Sequence, residues 1–215
     1  MLVKRICSDL LESNMYIVIE AGHALIIDPC KNTSMFDSNL KYDWILLTHE
    51  HYDHISGVND WKRLTGASLM CSKECAESIS SSKKNMSRYF SAFCELQSFS
   101  TNIPHYPVEE YTCNADEIFE VSSEVDWMGH SLKLIHCPGH SKGSTLIYID
   151  NEIVFSGDSI IQGKNTECRF PGGSIKAWES IGKPVVERIK EDTIVYPGHF
   201  EEFYYKDREK KRCMD

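Results

Sequence analysis

The stretch T-H-E-H-Y-D-H-I-S-G, residues 48 to 57, places three histidines and two acids between His49 and His54, directly after the apolar run W-I-L-L. Imidazole and carboxylate groups in such density are costly to bury without partners, so the cluster points to a metal-binding loop at the mouth of a buried strand. Three more candidates sit where a predicted strand gives way to a loop: His140 in C-P-G-H-S, Asp158 in F-S-G-D-S and His199 in Y-P-G-H-F. A glycine directly precedes each of them, which permits a sharp turn and the close approach of a neighbour. Alone, each of the three is an ordinary loop residue, and Asp158 would serve equally as a turn or helix-capping residue. With His49, His51, Asp53 and His54 they supply five imidazoles and two carboxylates, donors that suit Zn(II) and also Fe or Mn. One zinc uses about four ligands. Seven donors therefore suit two ions sharing a bridge, and a pair about 3.5–4 Å apart activates water and polarises a substrate oxygen. His23, His105, His130 and His136 have no such context, and surface or core roles are expected for them.

The elements that would position these donors are short and closely punctuated. V-K-R-I-C, M-Y-I-V-I-E (15–20) and A-L-I-I-D (24–28) read as strands, with A-G-H as a turn and Pro29 as a stop. D-W-I-L-L-T (43–48) is apolar throughout, as a strand covered on both faces must be. Residues 57–66 carry apolar side chains at helical spacing up to Gly66; 67–72 reads as a strand and 73–80 as a helix. Further strands are expected at 130–137, 144–150, 151–158 and 193–199, with a tight D-N-E turn joining the middle pair. The pattern over 177–189 is helical but broken near Gly182-Lys183-Pro184, and the alternating charges of 206–212 suggest a solvated terminal helix. Residues 80–112 form an insertion, read as a helix packed on the core in preference to a mobile flap. The whole predicts a single domain, 1–215, built as a layered α/β sandwich.

Composition narrows the function classes. No apolar run approaches the roughly 20 residues of a membrane helix, and Asp9 and Glu12 interrupt any secretory signal, so a cytoplasmic location is expected. The nine cysteines are scattered and odd in number, which suits reduced thiols; Cys71 and Cys75 lack the second Cys/His pair of a structural zinc site. A net charge of −9 disfavours a nucleic-acid partner and leaves a small-molecule substrate as the expectation.

The motifs T-H-E-H-Y-D-H, C-P-G-H-S, F-S-G-D-S and Y-P-G-H, in this order between Met15 and His199, resemble those of the metallo-β-lactamase superfamily. The resemblance implies a four-layer αββα sandwich. It implies one metal on His49, His51 and His140, a second on Asp53, His54 and His199, and Asp158 bridging, with two Zn(II) ions as the expected cofactors. It also implies a bridging hydroxide as nucleophile, a proton-relay role for Asp53, and support of the metal loop from Asp28 in I-I-D-P. The bridging aspartate sets the chain apart from true β-lactamases, and His51 stands where flavodiiron oxidoreductases usually carry glutamate. The set, with C-R-F-P-G-G at 168–173, is similar to the glyoxalase II-type branch, which hydrolyses thioesters. Only 16 residues follow His199, so that branch's C-terminal helical domain is not expected and glutathione thioesters are not assumed. The expected activity is hydrolysis of a small-molecule thioester, ester or lactone. A mononuclear iron persulfide dioxygenase is the alternative, a phosphodiesterase or ribonuclease is a weaker one, and a binding protein with a silent site is the non-enzyme reading.

Overall fold

The computed structural model describes residues 1–97 and 110–211. Six strands form the first sheet in chain order: β1 (Leu2–Cys7), β2 (Asn14–Glu20), β3 (His23–Ile27), β4 (Lys41–Leu46), β5 (Ser68–Ser72) and β6 (Glu117–Phe119). Those from β1 to β3 are antiparallel and those from β3 to β6 parallel. The parallel half needs crossovers, and helices α1 (Tyr52–Ile55), α2 (Val58–Thr65) and α3 (Lys73–Ile79) lie within them. The second sheet comprises β7 (Ser122–Trp127), β8 (His130–His136), β9 (Thr145–Ile149), β10 (Ile153–Gly157), β11 (Ile194–Pro197) and β12 (Phe203–Tyr204). It is antiparallel except where β11 runs parallel to β10.

Side-chain alternation sorts each strand between two cores. On β2, Tyr16 and Val18 face the second sheet, where they join Phe155, Ile147 and Leu134. Met15 and Ile17 face the other way, toward Ile55, Val58 and Trp61 of the helices. A third core lies outside the second sheet, where Val154, Leu146 and Val195 pack against Val186 and Ile189. Three apolar seams between four layers make the αββα sandwich that the motifs implied.

Several expectations are sharpened or corrected. The D-N-E turn has Asp150 and Asn151 both at φ 54°, and Glu152 N–H donates to Ile149 O, as a tight hairpin requires. Within the insertion, a 3₁₀ turn (Ser87–Tyr89) leads into α4 (Phe90–Gln97), whose Phe90 and Cys94 are buried in the helical core. The rest of that insertion, 98–109, lies outside the described residues, and so do His105 and Cys213. The predicted break at Gly182 is instead a continuous helical path: α5 (Ile175–Ala177), a wide π turn over Trp178–Gly182, then α6 (Lys183–Val186). Pro184 falls in the first turn of α6, where the π turn gives way to α-helix. Over the described residues 206–211 the terminal helix is not formed. Tyr205–Asp207 makes only a 3₁₀ turn, and Lys206 and Arg208 cap aromatic rings instead. Strands β6, β7 and β12 were not foreseen. Among the described residues no helix is long and apolar enough to cross a membrane.

Candidate metal centre

All seven predicted donors converge at one end of the sandwich. His49 and His51 lie on the loop that leaves β4, and Asp53 and His54 on α1. His140 lies between β8 and β9, Asp158 directly follows β10, and His199 follows β11. Donor atoms of His49, His51 and His140 form one compact group, and those of Asp53, His54 and His199 another, each within 4.8 Å. Asp158 lies between the two groups. Its Oδ2 is 3.6 Å from His140 Nε2 and 3.5 Å from His199 Nε2, and its Oδ1 is 3.6 Å from His54 Nε2.

Outward polar contacts orient each imidazole, the arrangement found around bound metals. Nδ1 of His49 meets Thr48 Oγ1 at 3.0 Å, that of His140 meets Glu167 O at 2.9 Å, and that of His199 meets Leu11 O at 3.1 Å. Nδ1 of His54 lies 3.2 Å from Asp28 Oδ2, so all four turn Nε2 toward the centre. His51 is reversed: Nε2 faces Pro171 O at 3.4 Å and Nδ1 faces inward, 3.0 Å from His140 Nε2.

The inward atoms need a cation. His49 Nε2, His54 Nε2 and Asp158 Oδ1 are buried with no hydrogen-bond partner among the described residues, an arrangement that one or two metal ions would satisfy. Burial, then the neighbouring His140, pushes the His51 pKa down to about 3, leaving a lone pair available near neutrality. Burial likewise holds His49 and His140 below the ordinary histidine range. Burial opposes charge on His54 too, but Asp53, the bond to Asp28 and Asp158 outweigh it and raise its pKa to about 10. His199 is raised by Asp158 against the same burial.

Asp28 also lies within reach of His49 and His54. Its Oδ1 accepts Thr48 N–H at 2.7 Å, its Oδ2 accepts Thr48 O–H, and its backbone is left-handed at φ 50°. With its lone pairs so occupied it orients the His49 loop and His54, as the motif implied. The glycines before the donors serve close approach. A Cβ on Gly198 would lie 2.2 Å from Asp158 Oδ1, and one on Gly157 (φ 49°) would lie 2.3 Å from Thr48 Oγ1.

One residue had no readable role in the sequence. Glu50 is 2% exposed, and its Oε2 accepts Ser141 O–H at 2.7 Å and Gly143 N–H at 3.1 Å. It ties the loop of His49 and His51 to the loop of His140. Alternation alone could have placed it opposite the two histidines, but nothing local names its partners 91 and 93 residues away. The other histidines behave as expected where described: His23 pairs with Asp43, His130 with Asp150, and His136 with the Lys142 carbonyl. Cys71 and Cys75 are buried free thiols.

A family model described as the metallo-beta-lactamase superfamily matches residues 8–199. The chain belongs to that superfamily. Among curated relatives, the hydroxyacylglutathione hydrolase of Aeromonas salmonicida (strain A449) is 23% identical over 193 residues; the match covers 87% of this chain and 61% of that protein's length. The structure of BLEG-1 B3 metallo-beta-lactamase superposes with a TM-score of 0.77 at 23% identity, covering 96% of this chain and 95% of that one. TTHA1623 in a di-iron-bound form follows at a TM-score of 0.68 and 22% identity, with 94% and 95% covered. These likenesses carry the fold. The family match, the relative named hydroxyacylglutathione hydrolase and the clustered donors are the observations on which a functional reading rests.

Proposed function

We propose that this chain is a dinuclear metal-dependent hydrolase acting on a small-molecule thioester, ester or lactone. One observation carries the reading: Asp158 reaches both donor groups, at 3.6 Å to His140 and 3.5 Å to His199. A mononuclear iron site would leave one of those groups without a task. In this reading His49, His51 and His140 would hold one ion and Asp53, His54 and His199 the second, with Asp158 within reach of both groups and Zn(II) the expected metal. A pair of ions so held supplies an activated water and an electrophile for the substrate's carbonyl oxygen.

The chain's own residues supply the rest. Asp53 Oδ2 lies 3.4 Å from His54 Nε2 and 3.6 Å from His199 Nε2, so this carboxylate would serve as a donor to the second ion and could accept a proton at the same place. His49, His51, Asp53, His54 and His140 are buried, which strengthens each charge interaction among them. The thioester preference draws on the relative named hydroxyacylglutathione hydrolase, of which this chain spans 61%.

Elemental analysis followed by a thioester, ester and lactone panel tests the proposal. The expected result is about two metal equivalents per chain and turnover that a chelator abolishes and metal restores. Less than one equivalent in carefully purified protein, with no member of the panel hydrolysed, would overturn it.

A further inference from the structure

The donors form the floor of a cavity of about 200 Å³, reached by His51, Asp53, Asp158 and His199. Its walls come from three separate segments: Leu11 from the β1–β2 loop, Met86, Phe90 and Phe93 at and before α4, and Phe170 from the loop after β10. Phe93 and Phe170 meet edge to face with centroids 5.1 Å apart, and Phe170 lies 5.8 Å from the His140 ring and 6.5 Å from that of His51. Phe90 stands edge-on to Tyr52 at 5.2 Å, which anchors the opposite wall next to Asp53. The aromatic surface therefore begins directly at the donors, where the reacting carbonyl of a substrate has to lie.

We infer that this cavity is an acyl pocket for an uncharged, ring-sized apolar group, of the arylacyl class, seated against Phe93 and Phe170. The inference rests on the hydrolase reading for its chemistry, but not for its binding. Volume sets the size: an apolar cavity of about 150 Å³ holds benzene, so about 200 Å³ takes one ring plus the carbonyl that must reach the floor. Chemistry sets the polarity. Ring edges and faces welcome a third ring in offset or edge-on contact, whereas a carboxylate would lose its hydration against the negative faces of Phe93 and Phe170. A 2-hydroxyacyl group would set its hydroxyl against the same apolar wall.

Two measurements on the metal-loaded protein test this. The first compares kcat/KM for acetyl, lactoyl, succinyl and phenylacetyl thioesters of one neutral thiol, N-acetylcysteamine. Since a single methylene in an apolar pocket changes kcat/KM by roughly 10- to 200-fold, phenylacetyl should exceed acetyl by about 100-fold and succinyl by more. Phe170→Ala and Phe93→Ala should each cut that preference by about tenfold, and Phe170→Leu, which keeps the apolar volume, by less. The second measures the heat of binding of benzamide and acetamide, neutral probes that need no turnover. Benzamide should bind at least about tenfold more tightly, and lose that advantage in Phe170→Ala. Hydrolysis that favours acetyl, lactoyl or succinyl overturns the pocket while leaving the hydrolase reading intact. No hydrolysis of any thioester, with Phe170-dependent benzamide binding, upholds the pocket and removes the thioester from the hydrolase reading. Equal binding of the two amides overturns the pocket outright.

Discussion

Glu50 shows how a single side chain can govern a centre it does not enter. Its carboxyl is buried, and burial raises its pKa against hydrogen bonds from Ser141 O–H and the Gly143 backbone. Truncation to alanine would leave those buried donors poorly satisfied, at a cost of about 1–3 kcal/mol. It would also free the His140 loop from the His51 loop, and groups that orient ligands typically contribute 10- to 100-fold to metal affinity. Glu50→Ala should therefore lower both the unfolding free energy and the affinity read by chelator competition, while Glu50→Gln, which keeps an acceptor, should lose much less of each. Equal metal affinity in wild type and Glu50→Ala would show that the loops hold their places without it. Removing a donor acts differently. Asp158→Ala and His140→Ala should each reduce turnover by orders of magnitude and lower the metal content by elemental analysis, while circular dichroism stays close to wild type. Full activity in either variant would mean that the donor assignment is wrong.

At the scale of elements, the backbone is arranged so that short strand ends deliver donors into a space that leaves no room for a methyl group. Gly198 N–H donates to Gly157 O at 2.9 Å, and Gly198 O accepts Asn14 N–H at 2.7 Å, so the backbone there is held from two sides. A Cβ at Gly198 would meet Asp158 Oδ1 at 2.2 Å and His54 Cε1 at 2.9 Å. The side chains must give way. Gly198→Ala should thus cost about 1–3 kcal/mol of stability, as overpacking does, and displace Asp158, seen as a fall in metal stoichiometry; unchanged stoichiometry would refute the crowding. Close approach at such glycines was legible in the sequence, because glycine recurs before His140, Asp158 and His199. Which neighbour approaches was not, since Asp158 comes to Gly198 only through the parallel pairing of β10 and β11. The apolar, β-branched runs of β2, β3, β4, β9 and β10 were equally readable. By contrast, β7 alternates polar residues on its exposed face, β6 spans three residues with Ile118 exposed, and β12 spans two, so none carries a strong apolar pattern. Lys206 and Arg208 lie over Tyr204 and Tyr205, local contacts two and three residues apart that stand where the charge pattern suggested a helix.

For the whole molecule, the two sheets must stay in register, because each supplies part of the donor set: the first carries the loop of His49 to His54, the second carries His140, Asp158 and His199. Polar ties close the sandwich at both ends. At the donor end, the Tyr16 hydroxyl and the Asn14 amide donate to Pro197 O at 2.6 and 3.0 Å, joining β2 to β11. At the far end of β4, Asp43 Oδ2 accepts Trp127 Nε1–H of the opposite sheet at 2.9 Å and meets His23 Nδ1 at 2.7 Å, with Lys41 Nζ 3.2 Å from Oδ1. Burial opposes ionisation of Asp43, but Trp127, His23 and Lys41 prevail and hold its pKa below the ordinary 3.8. A carboxyl with a lowered folded-state pKa contributes stability that is fully present above the unfolded value, and this contribution fades as pH falls through the folded value. Asp43→Asn should accordingly destabilise the protein by about 1.5–3 kcal/mol at neutral pH, the range for hydrogen bonds to a charged group. The difference from wild type should shrink once the pH drops below 3.8. Urea unfolding of both proteins across that interval measures it, with metal content as the control that the donor end is untouched. A gap that stays constant with pH would show that Asp43 joins the sheets by shape alone and that its charge contributes nothing to keeping the two halves of the donor set together.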